Sequence, residues 1–489
     1  MRKRFLVLLA CCLASAAVLP ASGLAAGKTM GAYECNNYST SDAKVFYDGV
    51  KSKVAAYGIS PPSELKLKSG IVYTSFDRKD LAVKYWASHG DNSGNIWGDN
   101  GVGYHGPTLA KRWVGGNLEF VFLAACRQLD GLGTNPRARY ANSMVGSQGL
   151  RVIAGYHESA PGSGGDYIIA QTAINEMKNG ESVKSAWMKA NTAYSSTTKA
   201  NYCVLTHSGS VQYSRFEGFP GSTYPRPGAS STSILRFTNA YPNGTSQPRI
   251  SSAAAKTVPA FALKARPRSI KFADTAKRKS YVSFGQTKLS ASEIKGIPLS
   301  RTTTESASAF CNSWLQQSVD GLSPSDVPRD GYEVSPVVMA EVNLEGRADK
   351  EIELPVAYTL SFEGSYKGIR VPDNRFVAIV DDAGLNFAAA TWADFEEVPL
   401  SAEPMTASAA RDILVADTKK RHKVRDKAIR QGRYTKLDKS MTAASSVPSD
   451  AELVFALDAD SGLYRPAWEY KTPYGLATID CMDGDLSYR

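Results

Sequence analysis

The sequence predicts an α/β chain, with a three-layer domain on a mainly parallel sheet over residues 27–217 and a C-terminal α+β region beyond it. Three observations carry this. In the first part of the chain, short apolar runs rich in strand formers alternate with stretches of helical periodicity. Two of those runs stop abruptly at a chemically active side chain. Past residue 258 the pattern changes, and a helix followed by an antiparallel meander occurs twice.

In order, Met30 to Cys35 predicts a strand, and Asp42 to Val54 a helix, because Phe46, Tyr47, Val50 and Val54 share one face and Ser41-Asp42 can cap its start. Ile71 to Tyr73 predicts a short strand. Leu81 to Gly90 predicts a buried strand that ends at His89, and Leu118 to Cys126 one that ends at a thiol. Between them, Asp91 to Gly116 has loop composition. Leu150 to His157 predicts another buried strand, followed by helices at Asp166 to Asn179 and Glu181 to Ala193.

In an open parallel sheet, ligands bind beyond the carboxyl ends of the strands, so neighbouring strands ending at His89 and Cys126 would share one crevice. Thiol catalysis needs that pair. The thiolate attacks, and the imidazole takes its proton and returns it to the leaving amine. Gly90 lacks a Cβ, which permits close approach, and its N–H together with that of Cys126 can serve a developing oxyanion. Taken singly, each residue also reads as structural: a buried apolar thiol and a satisfied strand-end histidine.

An apolar block ending Ser88-His89-Gly90, then one ending Ala125-Cys126, resembles the caspase-like clan of cysteine peptidases, which takes in caspases, legumains, gingipains and clostripain. The resemblance covers approximately residues 28 to 205. It implies His89 as general base and acid and Cys126 as nucleophile. His89 precedes Cys126 by 37 positions, fewer than the caspase spacing of about 50, and Ala124-Ala125-Cys126-Arg127-Gln128 departs from the caspase signature. A divergent bacterial-type member therefore fits better than a caspase proper. The strand ending Gly155-Tyr156, with two helices after it, also looks like the clan. His157 stands at that strand end and could orient substrate or compete as the base. Clan members of this kind often read one side chain before the scissile bond, and Asp91, Asp130, Glu158 or Asp166 could form an acidic pocket wall for Arg or Lys. The alternative is a non-catalytic secreted or cell-surface binding protein on the same fold.

Residues 1–26 read as a secretory signal, with Arg2, Lys3 and Arg4 before an apolar core and a small-residue exit at Leu24-Ala25-Ala26. Export, with no transmembrane segment, is the expectation. Of the seven cysteines, Cys11 and Cys12 would leave with the signal. If Cys126 is the free nucleophile, Cys35 with Cys203 and Cys311 with Cys481 is the simplest disulfide pairing, although sequence does not fix connectivity. No organic cofactor and no structural zinc are expected. The oxygen-rich loop with Asp91, Asn92, Asp99, Asn100 and His105 could hold calcium, or simply form a polar rim.

The net charge is +10, with a basic run through residues 419–433 that could touch an anionic surface or form a solvated helix face. Residues 218–258, rich in Pro, Ser and Gly, read as a linker. The first α+β unit, 259–400, would hold a helix at Ala307 to Gln317, strands at Ser335 to Glu345, Leu354 to Phe362 and Arg375 to Val380, and a turn at Val371 to Asn374. The second, 401–489, would hold a helix at Thr406 to Arg430 and strands at Glu452 to Leu457, Tyr464 to Tyr470 and Ala477 to Cys481. Tyr358 to Pro372, Val380 to Gly384, and Leu453 to Leu457 with Trp468 and Asp480 resemble propeptide modules of secreted peptidases. That resemblance implies an inhibitory or folding-assistant module that covers or regulates the site, beside the plain reading of a generic binding domain.

Overall fold

The computed structural model describes residues 28–35, 41–53, 63–98 (less 68 and 92), 103–220 (less 132–134, 148, 159, 162–164 and 195–200), 233–239, 257–268, 271–272, 280–281, 286–287, 319–320, 333–345, 354–430 (less 382–383) and 450–488 (less 459 and 473–474). The signal segment, Asn92, Asp99, Asn100, Cys311 and the helix expected at Ala307 to Gln317 lie outside the described residues.

The first half runs β1 (Met30–Glu34), α1 (Asp42–Lys53), β2 (Glu64–Leu67), α2 (Tyr73–Phe76), β3 (Val83–Ala87), the hairpin β4 (Asn95–Trp97) and β5 (Gly103–His105), α3 (Gly106–Ala110), β6 (Phe120–Ala124), α4 (Pro136–Gly146), β7 (Val152–Tyr156), α5 (Gly165–Lys178), α6 (Val183–Tyr194), β8 (Tyr202–His207) and β9 (Ile234–Asn239). Register pairs β1 in parallel with β2 and β3, β3 with β6, and β6 with β7. β8 and β9 then run antiparallel. Strands β1, β3, β6 and β7 are buried along their whole length, because helices cover both faces. On one face Phe46 of α1, Ile169 of α5 and Trp187 of α6 pack on Tyr85, Phe122 and Tyr156. On the other, Phe76, Leu109 and Met144 of α2, α3 and α4 pack on Trp86, Leu123 and Ile153. The layers are therefore three.

One local expectation fails here. Ile71 to Tyr73 is not a strand: Tyr73 opens α2, and the strand beside β1 is Glu64–Leu67. Three apolar residues are too few for periodicity to separate a strand from a helical turn.

The second half holds β10 (Phe261–Pro267) and two two-residue ladders, β11 (Lys271–Phe272) with β14 (Val319–Asp320) and β12 (Ser280–Tyr281) with β13 (Gln286–Thr287). It continues with β15 (Glu333–Glu341), β16 (Leu354–Tyr366), β17 (Ile369–Asp381), β18 (Gly384–Thr391), β19 (Ala393–Pro399), α7 (Ala407–Arg430), β20 (Glu452–Leu457), β21 (Leu463–Thr472), β22 (Gly475–Asp480) and β23 (Leu486–Tyr488). Strands β15 to β18 form an antiparallel meander, and β15 pairs with β9, so the central sheet runs on from the first half into the second.

The linker reading over 218–258 therefore misses β9, whose Ile234 and Phe237 are buried and which joins the halves. The turn expected at Val371 to Asn374 lies inside β17. Arg375 pairs with Glu363 and Val371 with Gly364, so Pro372 to Asn374 bulge out of the ladder. The reversal falls at Lys367-Gly368 instead, both at positive φ (49° and 80°), as a tight two-residue hairpin requires. The boundary placed at residue 400 also cuts a shared core, since Leu263, Ile369 and Val371 pack with Leu414, Phe455 and Trp468. The second half also touches helices of the first: Arg375 donates to the Ala193 and Tyr194 carbonyls of α6, and Asn142 of α4 donates to that of Leu344. The sheet itself is extended through the pairing of β9 with β15.

Candidate active site

Strands β3 and β6 are adjacent and parallel, with Val83 opposite Phe120 and Ala87 opposite Ala124. The Ser88 N–H donates to the Ala124 carbonyl at 3.2 Å, which carries the pairing past the ladder. Two residues further along each chain, past the last ladder pair, stand His89 and Cys126. Tyr85, Ala87, Phe122 and Ala124 pack on one face of the sheet, while Ala125 packs into the opposite core. His89 is exposed and Cys126 half-buried, so the pair stands at the mouth of the sheet.

Gly90 is where the two chain ends touch. A Cβ there would lie 2.2 Å from the Cys126 carbonyl oxygen and 3.1 Å from its nitrogen. The absence of a Cβ at Gly90 admits the Cys126 peptide. Gly90 bridges Ile96, and the adjoining bond runs from the Asp91 N–H to the Asn95 carbonyl at 3.2 Å, leaving the Gly90 N–H outside that bond.

Past the thiol the chain folds into a constrained turn. Arg127 has φ of 57°, a left-handed conformation that costs a non-glycine residue energy and persists only where its surroundings fix it. Here the Arg127 N–H donates to the Glu158 carbonyl at 2.7 Å and the Leu129 N–H to that of Tyr156 at 2.9 Å. The loop after β7 returns the contact, with the Ala160 N–H 3.3 Å from the Cys126 sulfur. Burial pushes the Cys126 thiol above its ordinary range and the Asp166 carboxylate adds to that, against the Ala160 amide and Arg127.

The four acidic candidates separate. Asp91 accepts from the Ser93 and Asn95 amides at 2.9 and 3.0 Å and from the Asn95 side chain, so it builds the loop into β4. In the same loop His105 Nδ1 pairs with Thr108 at 2.6 Å. Among the described residues no group of His, Cys, Asp and Glu could hold a metal ion. Asp130 is buried and pairs with Arg127 at 3.3 Å, closing the turn. Glu158 is exposed and accepts from the Asn201 amide. Only Asp166 shares the thiol's surroundings.

His157 sits on the other face of the sheet. Its ring is pushed down to about 4 by burial and by Arg137 and Arg236, so it is neutral at pH 7 and does not face Cys126. The Cys35 to Cys203 disulfide is also absent. Both thiols are buried, and β3, β6 and β7 lie between β1 and β8. Four strand spacings of ~4.8 Å far exceed the ~7 Å that a disulfide can span. Cys481 is a free, buried thiol.

Sequence reasoning missed Asp42, read above as a helix cap. Its carboxylate accepts from the Tyr85 hydroxyl at 2.8 Å under the strand ends. Tyr85 and Tyr156 are held well above their usual range by burial and by the Asp42 and Asp166 charges. It also missed Gln128 and Ala160, whose roles depend on contacts far away in the chain.

Residues 73–237 match a domain of unknown function, DUF6345, which spans β3, β6 and β7 and both strand-end residues. A search of the curated proteins found none that matches.

Proposed function

We propose that this chain is an exported cysteine peptidase of the caspase-like kind, with His89 and Cys126 as its catalytic dyad. The observation that supports the reading is the parallel register of β3 on β6, Ala87 opposite Ala124, since His89 and Cys126 each follow two residues beyond the ends of these adjacent strands. His89 takes the thiol proton as the sulfur attacks a peptide carbonyl, with the Gly90 and Cys126 N–H groups facing the oxyanion. The C–N bond breaks, the amine leaves with the His89 proton, and water, deprotonated by His89, releases the acid and restores the thiol. The substrate is a protein or peptide.

A second reading, a secreted binding protein that keeps the fold without catalysis, is favoured by the upward shift of the enclosed Cys126 thiol. Iodoacetamide labelling of Cys126 against pH, mapped by mass in the whole protein and in His89→Ala, separates the two. Labelling well below the free-thiol pKa of about 8.5 that slows in the variant supports the dyad. An inert thiol, or one indifferent to His89, supports the binding protein.

A further inference from the structure

We infer that Gln128 is the positioning residue of this site, the side chain that sets the spacing between the His89-Gly90 and Cys126 chain ends. The inference rests on the peptidase reading above. Gln128 is fully buried. Its Nε2 donates to the Asn95 carbonyl at 2.9 Å and to the Cys126 carbonyl at 3.3 Å, and its Oε1 accepts from the Tyr140 hydroxyl at 3.1 Å. Both amide hydrogens and the carbonyl are thereby engaged. Each bond reaches a different part of the site: the β4 hairpin that follows His89-Gly90, the nucleophile's own peptide, and α4 behind it.

The fit leaves little room for another arrangement. A Cβ at Gly90 would fall 2.8 Å from Gln128 Nε2, and one at Gly106 would fall 3.2 Å from Oε1. The Cys126 carbonyl belongs to the peptide whose next residue, Arg127, is left-handed. Holding that carbonyl fixes the rotation of the turn, and with it the direction in which the sulfur leaves the strand. Buried polar contacts of this kind specify a geometry more than they add stability.

A residue that only fills the core would change stability, whereas a positioning residue changes thiol chemistry in a folded protein. The variants are Gln128→Glu, Gln128→Leu and Tyr140→Phe in the whole chain, read by the pH profile of Cys126 alkylation beside thermal unfolding. At pH 8 an ionised Glu would face two carbonyl oxygens. We expect labelling at least tenfold slower than in the unaltered protein, recovering in part at low pH, where the protonated acid can donate one bond. Gln128→Leu stays slow at every pH. Tyr140→Phe, which removes only the contact to α4, slows labelling by a few fold, and it decides the matter if the Gln128 variants do not fold. On a cleaved peptide, kcat falls while KM holds. Unchanged labelling in the folded variants overturns the inference. If labelling of the unaltered protein depends on His89 but not on Gln128, the positioning role alone is lost; if it ignores His89, the peptidase reading is lost.

Discussion

The strand ends at His89 and Cys126 and the knot around Arg370 both gather buried, shifted titratable groups, and they are built oppositely. In the knot one guanidinium meets three carboxylates: Nη1 to Glu363 at 2.6 Å, Nε to Glu452 at 3.0 Å, and Nη2 to Glu469. Those partners come from β16, β20 and β21, with Arg370 itself on β17, so every group of the knot is held in a strand. At the strand ends the groups come from chain just past β3 and β6, one residue is left-handed, and Cys126 is half-buried. A displaced pKa therefore does not mark a functional site by itself. Convergence of complementary chemistry on a reachable atom does.

The largest expected effect breaks the knot. Arg370→Ala strands three carboxylates, Glu469 fully buried among them, and should destabilise the fold by about 3–5 kcal/mol in urea unfolding, with Cys126 labelling of the folded fraction unchanged. A comparable loss of labelling would mean that the two regions are coupled and the contrast false.

A smaller effect follows from Glu363. Burial pushes its carboxyl up to about 7, against Arg370 and with the Glu469 charge adding. The folded state then holds this proton more tightly than the unfolded chain. The contribution is present in full below the ordinary carboxyl range and is lost as pH rises through about 7. Stability should fall by roughly 2 kcal/mol between pH 5 and 8, and Glu363→Gln should flatten that slope in unfolding curves taken across the range. A slope that survives the substitution assigns the proton elsewhere.

The two regions were also unequally legible in the sequence. The β3 and β6 runs could be read because a strand buried on both faces is continuously apolar and its end shows as the first polar residue; His89 and Cys126 were visible for that reason. Gln128 was not, because one amide in a polar turn carries no signal that its bond reaches back 33 residues to Asn95. Asp42 imitated a helix cap while bonding Tyr85 in the core. Strand β9 was hidden by the Pro, Ser and Gly on both sides of it. The turn at Val371 to Asn374 was misplaced because Pro-Asp-Asn is turn composition, yet a strand can carry it as a bulge. Arg370 and its three acids, spread from residue 363 to 469, have no local pattern at all.

The smallest effect is the finest test of the contrast. Asp166 is the acidic side chain that acts on the Cys126 thiol, and its negative charge raises that thiol's pKa by disfavouring the thiolate. Asp166→Asn should therefore lower the pKa and speed iodoacetamide labelling at pH 7 by about two- to fivefold, the rate following the thiolate fraction. Asp42→Asn, one helix away and acting on Tyr85 and Tyr156, should give a smaller change. The sign distinguishes the regions. Removing a carboxylate from the knot costs a partner, whereas removing one from the crevice releases a nucleophile. A slower thiol in Asp166→Asn would show that this acid organises the crevice as Glu469 organises the knot.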